Sequence, residues 1–320
     1  MINIKNKKLI VILLTFVLIT TVFTGCIEKK KENNKEDSKE NQEVSKLYPL
    51  TVEDGFGNKV KFEKEPMKII SLAPSHTEIL YSLGVGSKVI GNTTYCDYPK
   101  EAKKVTKIGD AQNVNLEKII ELSPDLVIQY GEGKKEVNKG IKAAGIKLLS
   151  YEPESIDEVL NVIKELGDVT NSRRKAKILT VELGAKKDYI IGKVKDEKQV
   201  KVFYEIWHEP LRAAGPGSFV DELITLAGGE NIAKDAKGKY PKFDFEQLIE
   251  RNPEIYLTAN DLKSKTAESI KSREGYEAIK AVKDDKVYLL DGNMLSRPGP
   301  RIVDALELVA RKLHPEAFKK

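Results

Sequence analysis

Three histidines and Cys96 are the side chains best suited to metal or nucleophilic chemistry in this 320-residue chain. His76, His208, His314 and Cys96 offer nitrogen and sulfur ligands that zinc and iron accept. They lack the close spacing of a metal site, and the chain has no P-loop, GxGxxG, HExxH or GxSxG motif. The sequence therefore predicts no catalytic residue, no metal site and no cofactor. We expect Cys96 to be a small buried apolar residue and His314 to lie at the surface.

Aromatic and basic side chains follow several predicted strands, where ligands of α/β proteins bind. Aromatic rings give stiff contact area to a flat macrocycle or a catechol, and an arginine can hold a carboxylate or phosphate through two bonds. His76 opens a helix directly after a strand and is expected to face the same crevice. Ordinary strand packing is the alternative for each aromatic ring, and Arg301 is expected to be structural, inside a helix. The predicted ligand-binding residues are Tyr95, Tyr130, Trp207, Tyr240, Arg297 and His76.

Two stretches of the chain repeat one pattern. NLEKIIELSPDLVI starts at Asn115 and DFEQLIERNPEIYL starts at Asp244, so that Glu117 matches Glu246. Each copy predicts a helix, a proline turn and a strand. One explanation is a crossover that is common in parallel α/β proteins, with an acid favoured by the helix dipole. The other is that the two acids perform one task in two halves of the molecule.

The first residues have the composition of an export signal. Lysines precede an apolar run from Leu9 to Phe23, and small residues lead to Cys26. The run is shorter than the about 20 apolar residues of a membrane-spanning helix. We predict a signal sequence at 1–25, lipidation of Cys26 as in a lipobox, and a disordered tether at 26–47, which has little apolar surface to bury. The alternative is an uncleaved anchor helix, and both place the body outside the cytoplasmic membrane.

Charge and composition fit a soluble globular body. Apolar residues make up 40% of the chain, enough for a core, and charged residues make up 32% with opposite signs interleaved. The net charge is +5, without a dense basic stripe that contains aromatic residues, so nucleic-acid binding is not predicted.

Beyond Tyr48, predicted strands and helices alternate, which indicates mainly parallel sheets covered by helices on both faces. A hairpin is expected around 55–58, and Ser75 with Glu78 has the spacing of a capping box. The alternation stops at a long helical stretch and then restarts. The predicted domains are an N-terminal α/β lobe at 48–170, a connecting helix at 171–198 and a C-terminal α/β lobe at 199–320.

Six stretches stand in an order that a known family shares: KIISLAPSHTEILYSLG, YCDYP, NLEKIIELSPDLVI, GSFVDELITLAGGENI, FEQLIERNPEIYL and SRPGPRI. In this order they resemble the binding proteins of iron-chelate and cobalamin ABC importers, most closely the cobalamin carriers. The resemblance covers about Ile69 to Leu313. It implies a class III periplasmic-binding-protein fold, in which two Rossmann-like lobes are joined by one long rigid helix and the ligand binds in the cleft between them.

The resemblance also implies a ligand class. Tyr95, Tyr130 and Tyr240 fall where the cobalamin carrier has aromatic cleft residues, whereas Ala111 falls where it has a tryptophan. That departure removes a large contact to intact cobalamin. The expected ligand is therefore a metal chelate: cobalamin or another corrinoid, an iron siderophore, or haem.

The same resemblance implies the partners. One glutamate on each lobe docks onto arginines of the membrane permease in this family, and the matching positions are Glu117 and Glu246. The expected function is a membrane-tethered, extracytoplasmic lipoprotein that delivers its ligand to an ABC permease and its ATPase subunits, and not an enzyme. A chelatase or metal-cluster enzyme on the same fold is one alternative, against which the scattered histidines argue. A non-transport surface sensor is another, against which the paired glutamates argue.

Overall fold

The computed structural model describes residues 47–110, 112–260 and 264–319. The predicted signal sequence, Cys26, nearly all of the predicted tether and Ala111 lie outside the described residues. Within these ranges, no helix combines the length and the apolar composition that a membrane crossing requires.

The N-terminal lobe (residues 47–169) is built on a parallel sheet. Its elements are β1 (Leu50–Glu53), β2 (Lys59–Phe62), β3 (Ile69–Ser71), α1 (Pro74–Ser82), β4 (Val89–Asn92), β5 (Thr106–Lys107), α2 (Leu116–Leu122), β6 (Leu126–Tyr130), α3 (Lys135–Ala143), β7 (Lys147–Tyr151) and α4 (Ile156–Val169). The antiparallel pair β1 and β2 confirms the predicted hairpin. The other five strands form a parallel sheet in the order β5-β4-β3-β6-β7.

The C-terminal lobe (residues 200–319) follows the long helix α5 (Arg173–Val194). Its elements are β8 (Val200–Trp207), β9 (Arg212–Ala213), α6 (Phe219–Leu226), β10 (Gly229–Asn231), α7 (Phe245–Arg251), β11 (Ile255–Ala259), α8 (Ala267–Lys271), α9 (Lys280–Lys283), β12 (Val287–Leu290), α10 (Gly292–Leu295) and α11 (Ile302–Leu313). Four strands are parallel in the order β10-β8-β11-β12, and β9 joins β8 antiparallel. The predicted pair of mainly parallel α/β lobes is confirmed; the exact domain boundaries stay a prediction.

Helix α5 is the joint between the lobes. It spans 22 residues and packs against α4 of the N-terminal lobe and α11 of the C-terminal lobe. Lys186 on α5 pairs with Asp304 and Glu307 on α11 at 2.6 and 2.7 Å, and Lys187 pairs with Asp157 on α4. One cluster of buried apolar side chains runs from the N-terminal sheet through α5 to α11, so the lobes share a core along this helix. A shared, close-packed core resists independent motion of the two lobes.

Two local sequence predictions are wrong. The helix α1 begins at Pro74, because proline suits the first helical position, and the residue before it is Ala73. Ser75 is therefore already inside the helix and does not cap it. Both Ser75 and Glu78 are buried instead. His314 is also buried: the turn that follows α11 folds back, and His314 Nε2 lies 3.2 Å from the carbonyl oxygen of Gly228.

Candidate ligand-binding cleft

A cleft lies between the two sheets, at the carboxyl ends of their strands, where α/β proteins bind ligands. In the N-terminal lobe its walls lie at the ends of β3, β6 and β7; in the C-terminal lobe they include residues near the ends of β8 and β11 and the helix α10 that follows β12. It has two chambers, of about 730 Å³ (chamber 1) and about 560 Å³ (chamber 2). The chambers adjoin, because both are lined by Tyr130, Tyr240, Asn293, Ser296 and Pro298.

Chamber 1 has an aromatic wall. Tyr95 and Tyr130 come from the N-terminal lobe and Tyr240 from the C-terminal lobe, and their exposed fractions run from 40% to 58%. Burial raises the pKa of Tyr130, so its hydroxyl stays protonated at neutral pH and can donate a hydrogen bond. The structure thus brings three of the predicted cleft residues together around one space, and each is partly exposed.

Chamber 2 is more polar. Glu152 and Glu154 follow β7 on one side, and Lys239 and Asn260 stand on the other. Lys239 pairs with Glu154 across the cleft, which ties the two walls together. Asn260 accepts a hydrogen bond from the backbone of Gly292 at 3.0 Å through its side-chain oxygen, and this fixes the side chain at the chamber wall.

Arg297 lines chamber 1, but its charge is already paired. Its Nη1 lies 2.5 Å from Asp97 Oδ1 and 3.7 Å from Glu78 Oε1. Burial raises the pKa of Asp97, but the hydrogen bond and charge of Arg297 outweigh that effect, and the net pKa is below its usual range. Arg297 is therefore a clamp between the lobes in this structure, and a ligand carboxylate would have to compete with Asp97 for it.

Arg301 is structural, as predicted, although it lies just before α11 rather than inside it. It donates two hydrogen bonds to the buried Glu78 at 2.8 and 2.6 Å, and its guanidinium lies 4.1 Å from the ring centroid of Tyr98. The hydrogen bond to Glu78 raises the pKa of Arg301. Because Glu78 belongs to α1, this bidentate pair connects the two lobes below the cleft.

His76 lies beneath the cleft wall and not on it, which corrects its predicted place. Its ring is fully buried, and its centroid is 6.1 Å from that of Tyr130 and 6.0 Å from that of Tyr151. Neither ring nitrogen has a hydrogen-bond partner among the described residues. Burial lowers the pKa of His76 to about 3, so the ring is neutral at physiological pH. The start of α1 at Pro74 turns this side chain toward the core.

Trp207 ends β8 and does not line either chamber. Its indole nitrogen donates to the carbonyl oxygen of Glu209 at 2.8 Å, which holds the ring against the turn that follows the strand. Three other residues of β8 line chamber 2: Tyr204, Glu205 and Ile206. Of these, Glu205 is fully buried and bonded to Arg273 and Tyr256. Sequence reasoning missed it, although a single acid inside the apolar strand VKVFYEIW was the available signal.

Cys96 is buried, as predicted, with Sγ 3.2 Å from the hydroxyl oxygens of Thr77 and Thr93. Across the described ranges, no three His, Cys, Asp or Glu side chains gather in a way that could hold a metal ion.

The two copies of the repeat fold alike. In α2 and α7 the acid is the second residue of a seven-residue helix, and the residue before the helix, Asn115 or Asp244, accepts a hydrogen bond from the first turn. Each helix ends in a left-handed residue, Ser123 with φ 46° and Asn252 with φ 46°. Both Glu117 and Glu246 are exposed, and neither lines a chamber of the cleft.

The acid after each repeat proline clamps the neighbouring strand. In the N-terminal lobe, the Asp125 backbone donates to the Lys68 carbonyl oxygen, and the Asp125 side chain accepts from the Lys68 backbone at 2.9 Å. In the C-terminal lobe, Glu254 makes the same two contacts with Lys201, the side-chain one at 3.4 Å. The strands so joined, β3 with β6 and β8 with β11, are adjacent in each sheet. The repeat therefore places Glu117 and Glu246 at equivalent positions of the two lobes.

Comparison with known proteins finds relatives along nearly the whole chain. A family model described as periplasmic binding protein matches residues 69–294. The Bacillus subtilis ABC transporter substrate-binding lipoprotein YvrC is 34% identical over 322 residues, which cover 98% of this chain and 100% of that protein.

Two solved structures are similar in fold and sequence. One, from Staphylococcus epidermidis, is described as a possible iron-binding (periplasmic solute-binding) protein; it is 36% identical, with a TM-score of 0.71, over 78% of this chain and 100% of that one. The other is the periplasmic vitamin B12 binding protein BtuF of Vibrio cholerae, 27% identical with a TM-score of 0.68, over 80% of this chain and 99% of that one.

Proposed function

This chain belongs to the periplasmic binding protein family and has the class III fold of its solved relatives, and we propose that it is the substrate-binding lipoprotein of an ABC importer. It captures a corrinoid or an iron chelate, such as a siderophore or haem, in the cleft and delivers it to a permease that works with ATPase subunits. We propose that the protein acts as a binding protein and not as an enzyme.

The observation that carries the proposal is the separation of two features. The aromatic cleft lies between the lobes, whereas the two matched acids stand exposed outside both chambers. A ligand can therefore occupy the cleft while Glu117 and Glu246 contact a partner. Equivalent acids on two similar lobes suit a partner with two-fold symmetry, because charge complementarity fixes the register of an interface.

The membrane anchor is a further part of the proposal. Cys26 follows an apolar run and small residues, and the Bacillus subtilis relative, which matches 98% of this chain, is described as a lipoprotein. A lipid on Cys26 would hold the lobes at the outer face of the cell membrane, within reach of a permease.

The test pairs a binding titration with an uptake assay in vesicles that contain the permease. The variant Glu117→Lys with Glu246→Lys should bind the transported chelate within about twofold of the unchanged protein and should lose uptake, because like charges across an interface cost several kcal/mol. The matched control is Glu121→Lys with Glu250→Lys, which makes the same change one turn later on the same two helices, at exposed positions.

The control should keep its uptake. Normal transport by the Glu117→Lys, Glu246→Lys protein would refute the docking role. Absence of binding by every corrinoid and iron chelate tried would refute the proposed ligand class.

A further inference from the structure

The formal charges of the described side chains that line the cleft sum to zero. Within the described ranges they are three acids and three bases: Glu152, Glu154, Glu205, Lys134, Lys239 and Arg297. The chain as a whole has 54 lysines and arginines against 49 acids. Among the residues that the structure describes, the lining of the cleft therefore carries no excess of positive charge.

Most of these charges are also already bonded. Arg297 pairs with Asp97 and Glu78, and Lys239 pairs with Glu154. Glu205 is held by Arg273. Two charged cleft side chains make no ion pair with another described residue, and they have opposite signs: Lys134 lines chamber 1 and Glu152 lines chamber 2, and both are exposed.

Neutral polar side chains also line the cleft. The amides of Gln112, Asn260 and Asn293 and the hydroxyl of Ser296 line the chambers next to the tyrosines. The Asn260 side-chain oxygen accepts a hydrogen bond from the Gly292 backbone, and its NH2 group is a donor at the chamber wall. Amides and hydroxyls both donate and accept, and they pair with amide or hydroxamate groups without burying a net charge.

We infer, building on the proposed function, that the cleft takes a metal chelate of zero or single positive charge that carries neutral amide or hydroxamate groups, and excludes polyanionic chelates. A chelate with two or three negative charges would lose hydration in the cleft, and of the three cations in the described lining two are already paired with carboxylates of the protein. The arginine there is committed to carboxylates of the protein, and removing it from them would leave buried Glu78 less well paired.

The experiment measures the affinity of the protein for four probes by tryptophan and tyrosine fluorescence or calorimetry. Two are neutral or singly positive: the corrinoid cobinamide and an amine-bearing ferric trihydroxamate. Two are polyanionic: haemin, with two carboxylates, and a ferric tricatecholate, with three negative charges. We expect at least one probe of the first pair to bind about 100-fold more tightly than either of the second, since each missing charge-assisted contact weakens binding by a factor of ten or more.

A charge variant identifies the cause. Glu152→Lys adds a cation to the cleft wall and should raise the affinity for the polyanionic probes about tenfold relative to the unchanged protein. The control, Glu182→Lys, makes the same change at an exposed position of α5 that does not line the cleft and should change none of the affinities.

Each outcome decides the inference. Tighter or equal binding of haemin or the tricatecholate by the unchanged protein would overturn it and leave the proposed function standing. An unchanged affinity of the Glu152→Lys protein for the polyanions would show that charge is not the selecting property and would also overturn it. Failure of all four chelates to bind would overturn the proposed function itself, and this inference with it.

Discussion

Acidification should destabilise this protein through His76. The ring is fully buried between Tyr130 and Tyr151, and burial lowers its pKa to about 3. In the unfolded chain a histidine has a pKa of about 6.5. Between these two values the unfolded chain binds a proton that the folded protein does not, so the free energy of unfolding falls as the pH falls through this window.

The magnitude follows from the two pKa values. Each pH unit inside the window changes the free energy of unfolding by about 1.36 kcal/mol. At pH 5, about 1.5 units below the unfolded pKa, the loss from His76 alone is about 2 kcal/mol, whereas at pH 7.5 it is close to zero. Such a loss is large beside the about 5–15 kcal/mol of a typical folded protein.

The assay is urea unfolding at pH 7.5 and pH 5.0 for the unchanged protein and for His76→Phe. All other titrating groups are common to the two proteins and cancel in the difference. Between these pH values, the unchanged protein should lose about 2 kcal/mol more than the variant. If His76→Phe does not fold, His76→Gln serves instead, since it also removes the imidazole.

The reasoning would be refuted if the loss of unfolding free energy from pH 7.5 to pH 5.0 differed between the two proteins by less than about 0.5 kcal/mol. The folded His76 would then titrate near its usual pKa. Equal denaturant slopes for both proteins are the required control, since they show that the unfolding transitions expose similar surface.

Two further predictions concern binding and anchoring. Tyr95→Ala should weaken chelate binding about tenfold or more, because a stacked ring in chamber 1 contributes about 0.5–1.5 kcal/mol beyond its buried area. Trp207→Ala should leave the affinity within about twofold of the unchanged protein. Equal losses of affinity in a binding titration would contradict the placement of Trp207 outside the cleft. Cys26→Ala should release the protein from the membrane fraction or leave an uncleaved precursor, and an unchanged mass together with an unchanged membrane fraction would contradict lipidation.

Local patterns in the sequence predicted most of the fold, because they depend on neighbours along the chain. The alternation of strands and helices, the long joint α5 and the two copies of the repeat all follow from periodicity and proline placement. Tyr95 and Tyr130 could be placed from the strands that precede them, since the carboxyl ends of parallel strands meet at one edge of a sheet. Tyr240 lies in the loop between β10 and α7, where only the resemblance to the binding-protein family pointed to it.

The misplaced residues depend on contacts between distant parts of the chain. Glu78 has the spacing of a helix cap, yet it meets Arg301, which is 223 residues away. The place of His76 depends on how α1 rotates onto the sheet, and a shift of one residue in the helix start changes which side chain faces the core. The turn after β8 and the pairing with β9 set the position of the Trp207 side chain. Its place at the end of a strand was therefore not enough to predict whether it lines the cleft.

The likeness of the two repeat helices has a statistical consequence for docking. Under the proposed contact, a permease with two-fold symmetry meets the same acid in the same helical setting on either lobe, so that two orientations related by half a turn are nearly equivalent. Two equivalent orientations add about 0.4 kcal/mol of configurational entropy to association, a factor of two in the encounter rate. The degeneracy is incomplete, because Lys118 of α2 matches Gln247 of α7 and Leu122 of α2 matches Arg251 of α7. A permease can distinguish one lobe from the other at these differences in charge.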